Sequence, residues 1–208
     1  MKYKRIIDIS IMLNPATSIY PGNPPFEVET FASASGTAYN SKIILGTHVG
    51  THIDTPGHID KDGMNIDDLS LNIFVGPCRV LDFTHVSGSI KADDLKQKHI
   101  ARGERILMKT NNSLRGFTTF YDDYVFLSGE GAQYLAESGI ILCGIDAFSV
   151  KQKGSADNTP HSALLEKVIP IVEGLDLKQV TEGTYDLIVL PLKLETGDGA
   201  PARAILLE

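Results

Sequence analysis

The stretch HVGTHIDTPGH, residues 48–58, decides how this chain is read. It places three of the six histidines and one aspartate among threonines, glycines and a proline. Imidazole nitrogens and carboxylate oxygens hold a zinc-like ion at roughly 2.0–2.2 Å, so His48, His52 and Asp54 on a constrained backbone are candidate metal ligands. A histidine cluster without an ion would have to desolvate several polar rings and a carboxylate with nothing to compensate. The spacing limits the backbone. On an ideal strand His48, His52, Asp54 and His58 share one face, but four residues of extended chain cover roughly 13 Å. A helix brings His48 and His52 together, yet it swings Asp54 off that face and must accommodate Gly50, Thr51, Thr55 and Pro56. A bent strand or tight loop remains, with Gly46 and Gly50 allowing turns or close approaches and Pro56 stiffening the exit. This is not the helical His-Glu-x-x-His arrangement. Three protein ligands suffice for a catalytic ion that keeps one position open. His58, beyond the proline, is then available as a general acid and base near neutral pH. A shared carboxylate such as Asp54 could also bridge two ions about 3.5–4 Å apart, which requires ligands from elsewhere in the chain.

Composition sets the outer limits. With 208 residues, 42% of them hydrophobic and 22% charged, the chain is long enough for one large domain with a substantial core, residues 1–208. The net charge of −7 and scattered basic residues, apart from Lys2, Lys4 and Arg5, argue against a phosphate-tracking surface and so against nucleic acid as a partner. Cys78 and Cys143 lie in apolar surroundings and read as buried free thiols in a reducing compartment. The amino terminus MKYKRIIDIS has no apolar stretch long enough for a signal peptide, and no run of 18 apolar residues occurs. A cytoplasmic protein without a membrane span is expected.

Along the chain, 5–13 reads as a first strand, followed by the loop NPATSIYPGNPPF, rich in Pro and Gly. Loops of that length tend to be functional, and Tyr20 within it is either a substrate-facing aromatic or a ring packed on its own loop. Strands are expected over 26–32 and 41–45, a short helical piece after KDGMNIDDL, and a buried strand over 75–83. From there α and β alternate: a helix over 91–101 carrying His99, a strand over 105–110, a helix over 129–138 and a strand over 140–148. His99 and the loop residue His85 read as solvent-facing. Asp146 emerges where an apolar strand stops, an edge where ligands commonly bind, although capping of the next turn is an equal contender. Thr159 as cap and Pro160 at the first position open a short helix containing His161. An apolar run then ends on Glu173, and YDLIVLPLKL, ETGDGAP and ARAILLE form a closing hairpin.

HVGTHIDTPGH matches the HxGTHxDxPxH signature of the cyclase-like metal hydrolases, among them the bacterial kynurenine formamidases. The likeness extends through YPGNPPF, VGPCRVLDF, GIDAFS, PHSALLE, IPIVEG, LPLKL and PARAIL, essentially the whole chain. The resemblance implies an α/β fold with a central mixed, barrel-like sheet and peripheral helices, in a homodimer or homotetramer. It implies a first ion on His48, His52 and Asp54, with Asp54 bridging to a second on His161 and Glu173, and His58 as proton donor and acceptor. One or two divalent ions are expected, zinc first, with manganese or iron as alternatives. The implied reaction is hydrolysis of a small amide by metal-activated water, N-formylkynurenine being the best single substrate and tryptophan catabolism the setting. Hydrolysis of an isatin-type lactam or cyclic imide and a metal-dependent cyclase or lyase are the alternatives. Isatin-hydrolysing members differ in having glutamine where this chain has Glu173. Two positions depart from the formamidase pattern: Tyr20 stands where tryptophan precedes the PG of the early loop, and Lys151 where aspartate follows the GID strand.

Overall fold

The computed structural model describes residues 3–195 and 197–208; Lys2 of the basic amino-terminal group and Thr196 of the expected hairpin turn lie outside them. In chain order the strands and helices are β1 (Ile6–Asp8), β2 (Glu27–Ala32), β3 (Tyr39–Ile44), β4 (His52–Asp54), β5 (Val75–Asp82), β6 (Ser89–Ile90), α1 (Ala92–Lys96), β7 (Arg105–Lys109), α2 (Asn112–Arg115), β8 (Phe126–Leu127), α3 (Gly129–Ser138), β9 (Leu142–Ile145), α4 (Thr159–Leu165), β10 (Ile171–Glu173), β11 (Gly183–Pro191) and β12 (Gly199–Leu207). Short 3-10 turns at Pro56–His58, Ile66–Asp68 and Leu71–Ile73 fill the connection after β4.

The main sheet runs β1-β12-β11-β5-β7-β9-β10-β4, and β12 also pairs with β4. That last pairing closes seven strands into a barrel-like ring, with β1 added along β12. The sheet is mixed: β5, β7, β9 and β10 are parallel, while β11, β12 and β4 join antiparallel. Parallel neighbours need crossover connections, so helices cover that side.

Side chains alternate across each strand and make two cores. Ile53, Val80, Leu107, Val172 and Ala200 point to the same interior cluster. Ile106, Met108, Cys143 and Ile171 point outward and pack with helical Leu95, Leu135 and Leu164. Each fully buried Leu or Ile contributes about 1.5–3 kcal/mol, and both cysteines are buried and unpaired, as expected.

α3 spans the expected 129–138 because its punctuation is local: Ser128 Oγ accepts from Gly131 N at 3.1 Å, and Gly139 ends it at φ 73°. The helix expected over 91–101 stops at Lys96, and His99 lies beyond it at φ 49°. There the chain turns so that the Lys98 and His99 carbonyls accept from Arg79, at 2.8 and 3.4 Å. His85 and His99 are exposed. In α4 the cap position belongs to Asn158 and not to Thr159, whose N–H and Oγ1 both donate to Asp157 Oδ1. The β2–β3 hairpin stands off the barrel with every residue of its two strands exposed, including Val28, Phe31, Tyr39 and Ile43.

Candidate metal centre

The 48–58 stretch adopts a turn, a three-residue strand and a 3-10 turn. Gly50 takes the left-handed φ of 60°, and a side chain at Gly174 would strike the Gly50 carbonyl at 2.2 Å, so these two turns touch backbone to backbone. Thr51 Oγ1 locks them together, donating to Gly174 O at 2.5 Å and accepting from Ile11 N at 2.8 Å. β4 then lies between β10 and β12, with Glu173 opposite His52 and Ile171 opposite Asp54. Ile53 faces the barrel interior, so His52 and Asp54, on either side of it, face outward. Glu173 faces outward too, since it shares strand parity with Ile171 of the outer cluster. The first turns of α4 bring His161 over this same patch.

Four side chains thus converge under the helix layer. His52 Nε2 is 3.4 Å from both Asp54 Oδ1 and Glu173 Oε2. His161 Nε2 is 3.6 Å from Asp54 Oδ2 and 3.4 Å from Glu173 Oε1. His48 Nδ1 is 2.7 Å from Asp54 Oδ1, and the His58 ring centroid lies 4.2 Å from that of His48 and 5.4 Å from that of His161. The ligand-type atoms of His52, Asp54 and Glu173 form one close group, and those of His48, Asp54 and His58 another. Asp54 belongs to both. All of His52, Asp54, His161 and Glu173 are buried, whereas His58 sits on the open side.

Burial disfavours charge on each group, but the mutual attraction prevails. The His52 imidazole is pushed to about 10, burial being outweighed by Asp54 and Glu173. His48 and His161 are raised against their own burial, by Asp54 and Glu173 respectively. Burial pushes the Asp54 carboxyl up, yet His48 and His52 hold it well below the usual range. Glu173 is lowered by His161 and His52 against burial and the Asp54 charge. Among these imidazoles His58 alone moves down, through burial first and then the neighbouring His48 and His161.

The donor set fits a divalent cation. His52 Nε2 and Asp54 Oδ2 are buried with no hydrogen-bond partner, although each faces the other groups of the cage. Such an orphaned atom costs about 1–3 kcal/mol, and an ion at the centre removes that cost for both. His52 Nδ1 faces the Gly50 carbonyl at 3.0 Å; a carbonyl only accepts, so Nδ1 carries the proton and Nε2 is left for an ion. Glu173 Oε1 also accepts from Val150 N at 2.5 Å, which anchors it to the loop after β9.

The cage forms the floor of a cavity of about 220 Å³ lined by Tyr20, Asn23, His48, His58, Phe148, Ser149, Lys151, Asn158, His161 and Glu173. Tyr20 reaches it from the early loop, with its ring edge against Phe120 at 5.5 Å. Residues 7–152 match the Cyclase family model. The chain belongs to that family. It is 39% identical over 206 residues to a kynurenine formamidase of Salinibacter ruber, covering 97% of this chain and 96% of that one. It also resembles a structure described as a "predicted metal-dependent hydrolase from Bacillus stearothermophilus", at 33% identity and TM-score 0.86, covering 98% of both chains. Isatin hydrolase A from Ralstonia solanacearum is similar at 25% identity and TM-score 0.83, covering 98% of this chain and 91% of that one. The barrel-like sheet is the fold of these cyclase-family neighbours.

Two further carboxylates, Asp146 and Asp198, have no role assigned by the sequence. Asp146 is fully buried and accepts from Thr110 N, Thr110 Oγ1, Ser113 N and Ser113 Oγ at 2.7–3.2 Å. It leaves the β9 ladder to tie down the turn after β7, not, as in the capping alternative, the turn that follows it, and it does not line the cavity. Asp198, 3.1 Å from His48 Nε2, comes from the β11–β12 turn. Nothing in the spacing of residues 48 and 198 connects them.

Proposed function

We propose that the protein is a metal-dependent hydrolase of a small C–N amide, with an aryl formamide such as N-formylkynurenine as its substrate. The observation that carries this is the cage of His48, His52, Asp54, His161 and Glu173, with orphaned ligand atoms, at the floor of an aromatic-walled cavity. When bound, a divalent ion supplies a Lewis acid and lowers the pKa of water. The closing of the N and O donor set suits zinc, with manganese or iron as alternatives. Asp54 faces His48 and His52 through Oδ1 and His161 through Oδ2, which makes it the natural bridge if two ions bind.

His58 sits beside the cage without being enclosed in it, and its lowered pKa keeps a neutral imidazole available near pH 7. It accepts a proton from the attacking water and returns it to the leaving nitrogen, so the formamide and water become an amine and formic acid. Tyr20 and Phe148 offer faces for an aryl ring. Lys151 Nζ, beside Asn158 Oδ1 at 3.1 Å, is the one Lys or Arg of the cavity lining among its described residues, and it supplies the positive group for a substrate carboxylate.

The exposed apolar side chains of the β2–β3 hairpin support a homodimer or homotetramer, since a two-stranded hairpin is marginal in water by itself. No helix among the described residues is long and apolar enough to cross a membrane, which is compatible with a cytoplasmic enzyme formed by this single domain. Lactam opening is the second reading, favoured by the likeness to isatin hydrolase A.

The test is hydrolysis of N-formylkynurenine by metal-loaded protein in ¹⁸O-labelled water. Label in the formate establishes hydrolysis; ring opening of isatin without formamide cleavage selects the second reading, and unlabelled product points to a cyclase or lyase. His58→Ala should keep its metal and lose about 10²–10⁴-fold in turnover. Loss of the metal instead would make His58 a ligand.

A further inference from the structure

The ring of His48 is held between two carboxylates. Its Nδ1 faces Asp54 Oδ1 at 2.7 Å, inside the cage, and its Nε2 faces Asp198 Oδ2 at 3.1 Å, on the outer side. The same Asp198 oxygen accepts from Thr47 Oγ1 at 2.9 Å, so the carboxylate is itself oriented by the residue preceding His48.

The turn that carries Asp198 is clamped to the motif through its backbone. Asp198 O accepts from Thr55 N at 3.3 Å, Gly197 O accepts from Thr55 Oγ1 at 2.5 Å, and Gly199 is paired with Asp54. A side chain at Gly57 would strike Gly197 O at 2.1 Å, and one at Gly199 would meet His48 Cε1 at 3.1 Å. Residues 197–199 therefore pack closely against the motif. Its aspartate is placed by the sheet and not by the flexibility of a surface loop.

A neutral imidazole carries one N–H and one lone pair, so if the inner nitrogen turns its lone pair to an ion held with Asp54, the outer nitrogen carries the N–H and donates it as a hydrogen bond to the carboxylate on that side. We propose that Asp198 is a positioning residue that accepts the His48 Nε2–H and so presents Nδ1 to the ion. This rests on the metal-hydrolase reading above. It gives His48 the tautomer opposite to that of His52, whose Nδ1 donates to Gly50 O and whose Nε2 faces the cage. One motif would thus use both ring nitrogens of histidine, one kind at each position. An outer carboxylate of this type is worth about 10–100-fold in metal affinity.

The experiment uses zinc-loaded protein. Ring ¹⁵N shifts of His48 in the wild type should show a protonated Nε2 and a zinc-bound Nδ1. Zinc affinity measured against a competing chelator should fall about 10–100-fold in Asp198→Ala. Asp198→Asn, which keeps an acceptor oxygen, should recover most of that loss and retain the wild-type His48 shifts. Zinc on His48 Nε2, or an unchanged affinity in Asp198→Ala, overturns the assignment while leaving the metal site intact. Failure of the wild type to bind zinc overturns both. The spectrum is read on the wild type, so the result does not depend on a variant folding.

Discussion

Asp54 and Asp146 are both fully buried aspartates beside strand ends of the same barrel, and they are buried in opposite ways. Asp146 is surrounded by donors: two backbone N–H groups and two hydroxyls satisfy its oxygens. Burial still pushes its carboxyl up, against those hydrogen bonds. Asp54 is surrounded by imidazoles, is held well below the usual range, and retains an oxygen with no partner. Depth does not distinguish a structural acid from a functional one. What distinguishes them is whether the neighbours complete the group with donors or leave one of its oxygens without a hydrogen-bond partner.

The largest effect should come from breaking the unsatisfied side of this pair. Asp54→Ala should lower metal affinity by at least about 100-fold, beyond what outer partners of ligands cost, and reduce turnover to background. Metal analysis after dialysis, alongside activity, measures this; stoichiometric metal in an active Asp54→Ala protein would refute the site.

Asp146→Ala should do the converse. Removing the acceptor strands the buried Thr110 and Ser113 donors and should cost about 2–3 kcal/mol of stability, read from urea unfolding, with zinc affinity in the folded protein unchanged. A loss of affinity at constant stability would place Asp146 in the site after all.

A pH series sharpens the contrast further. In metal-stripped protein the His52 pKa is raised from 6.5 to about 10, so the protonated ring between Asp54 and Glu173 stabilises the fold fully below about pH 6.5. That contribution is lost as pH rises through about 10. The Tm of stripped protein should therefore fall across this window, while zinc-loaded protein holds its Tm, because the ion replaces the proton. For the same reason zinc uptake near pH 7.5 should release protons, seen as a buffer-dependent binding heat by calorimetry. A Tm of stripped protein that stays level from pH 6.5 to 10 would contradict the imidazole–carboxylate coupling.

The smallest effect belongs to the rim of the cavity, where solvent screens charge. Lys151→Met should raise KM for a carboxylate-bearing aryl formamide by about two- to five-fold, the size of an exposed ion pair. It should leave kcat, and the KM of an uncharged aryl formamide, unchanged. Equal changes for both substrates would remove Lys151 from carboxylate recognition.

Much of the local structure was legible because its causes are local. Ser128 and Gly139 bracket α3 within its own sequence, and Gly50 and Pro56 announce a bent, stiffened segment around β4. Where long-range partners compete, the local reading slips. The helix after Lys91 ends early because Arg79 claims the Lys98 and His99 carbonyls, and the strand after Ile140 shortens because Asp146 turns toward Thr110 and Ser113.

The site divides in the same way. The sequence alone determined the chemistry on offer, since imidazoles and a carboxylate packed into 48–58 cannot be desolvated cheaply without a cation. Resemblance pointed to His161 and Glu173. Only the tertiary structure decided how these groups meet. Closing the barrel through β4 sets Glu173 opposite His52, strand parity turns both away from the interior, and α4 lowers His161 over them. The β11–β12 turn adds Asp198 behind His48, a contact across 150 residues that strand pairing creates and no local spacing encodes.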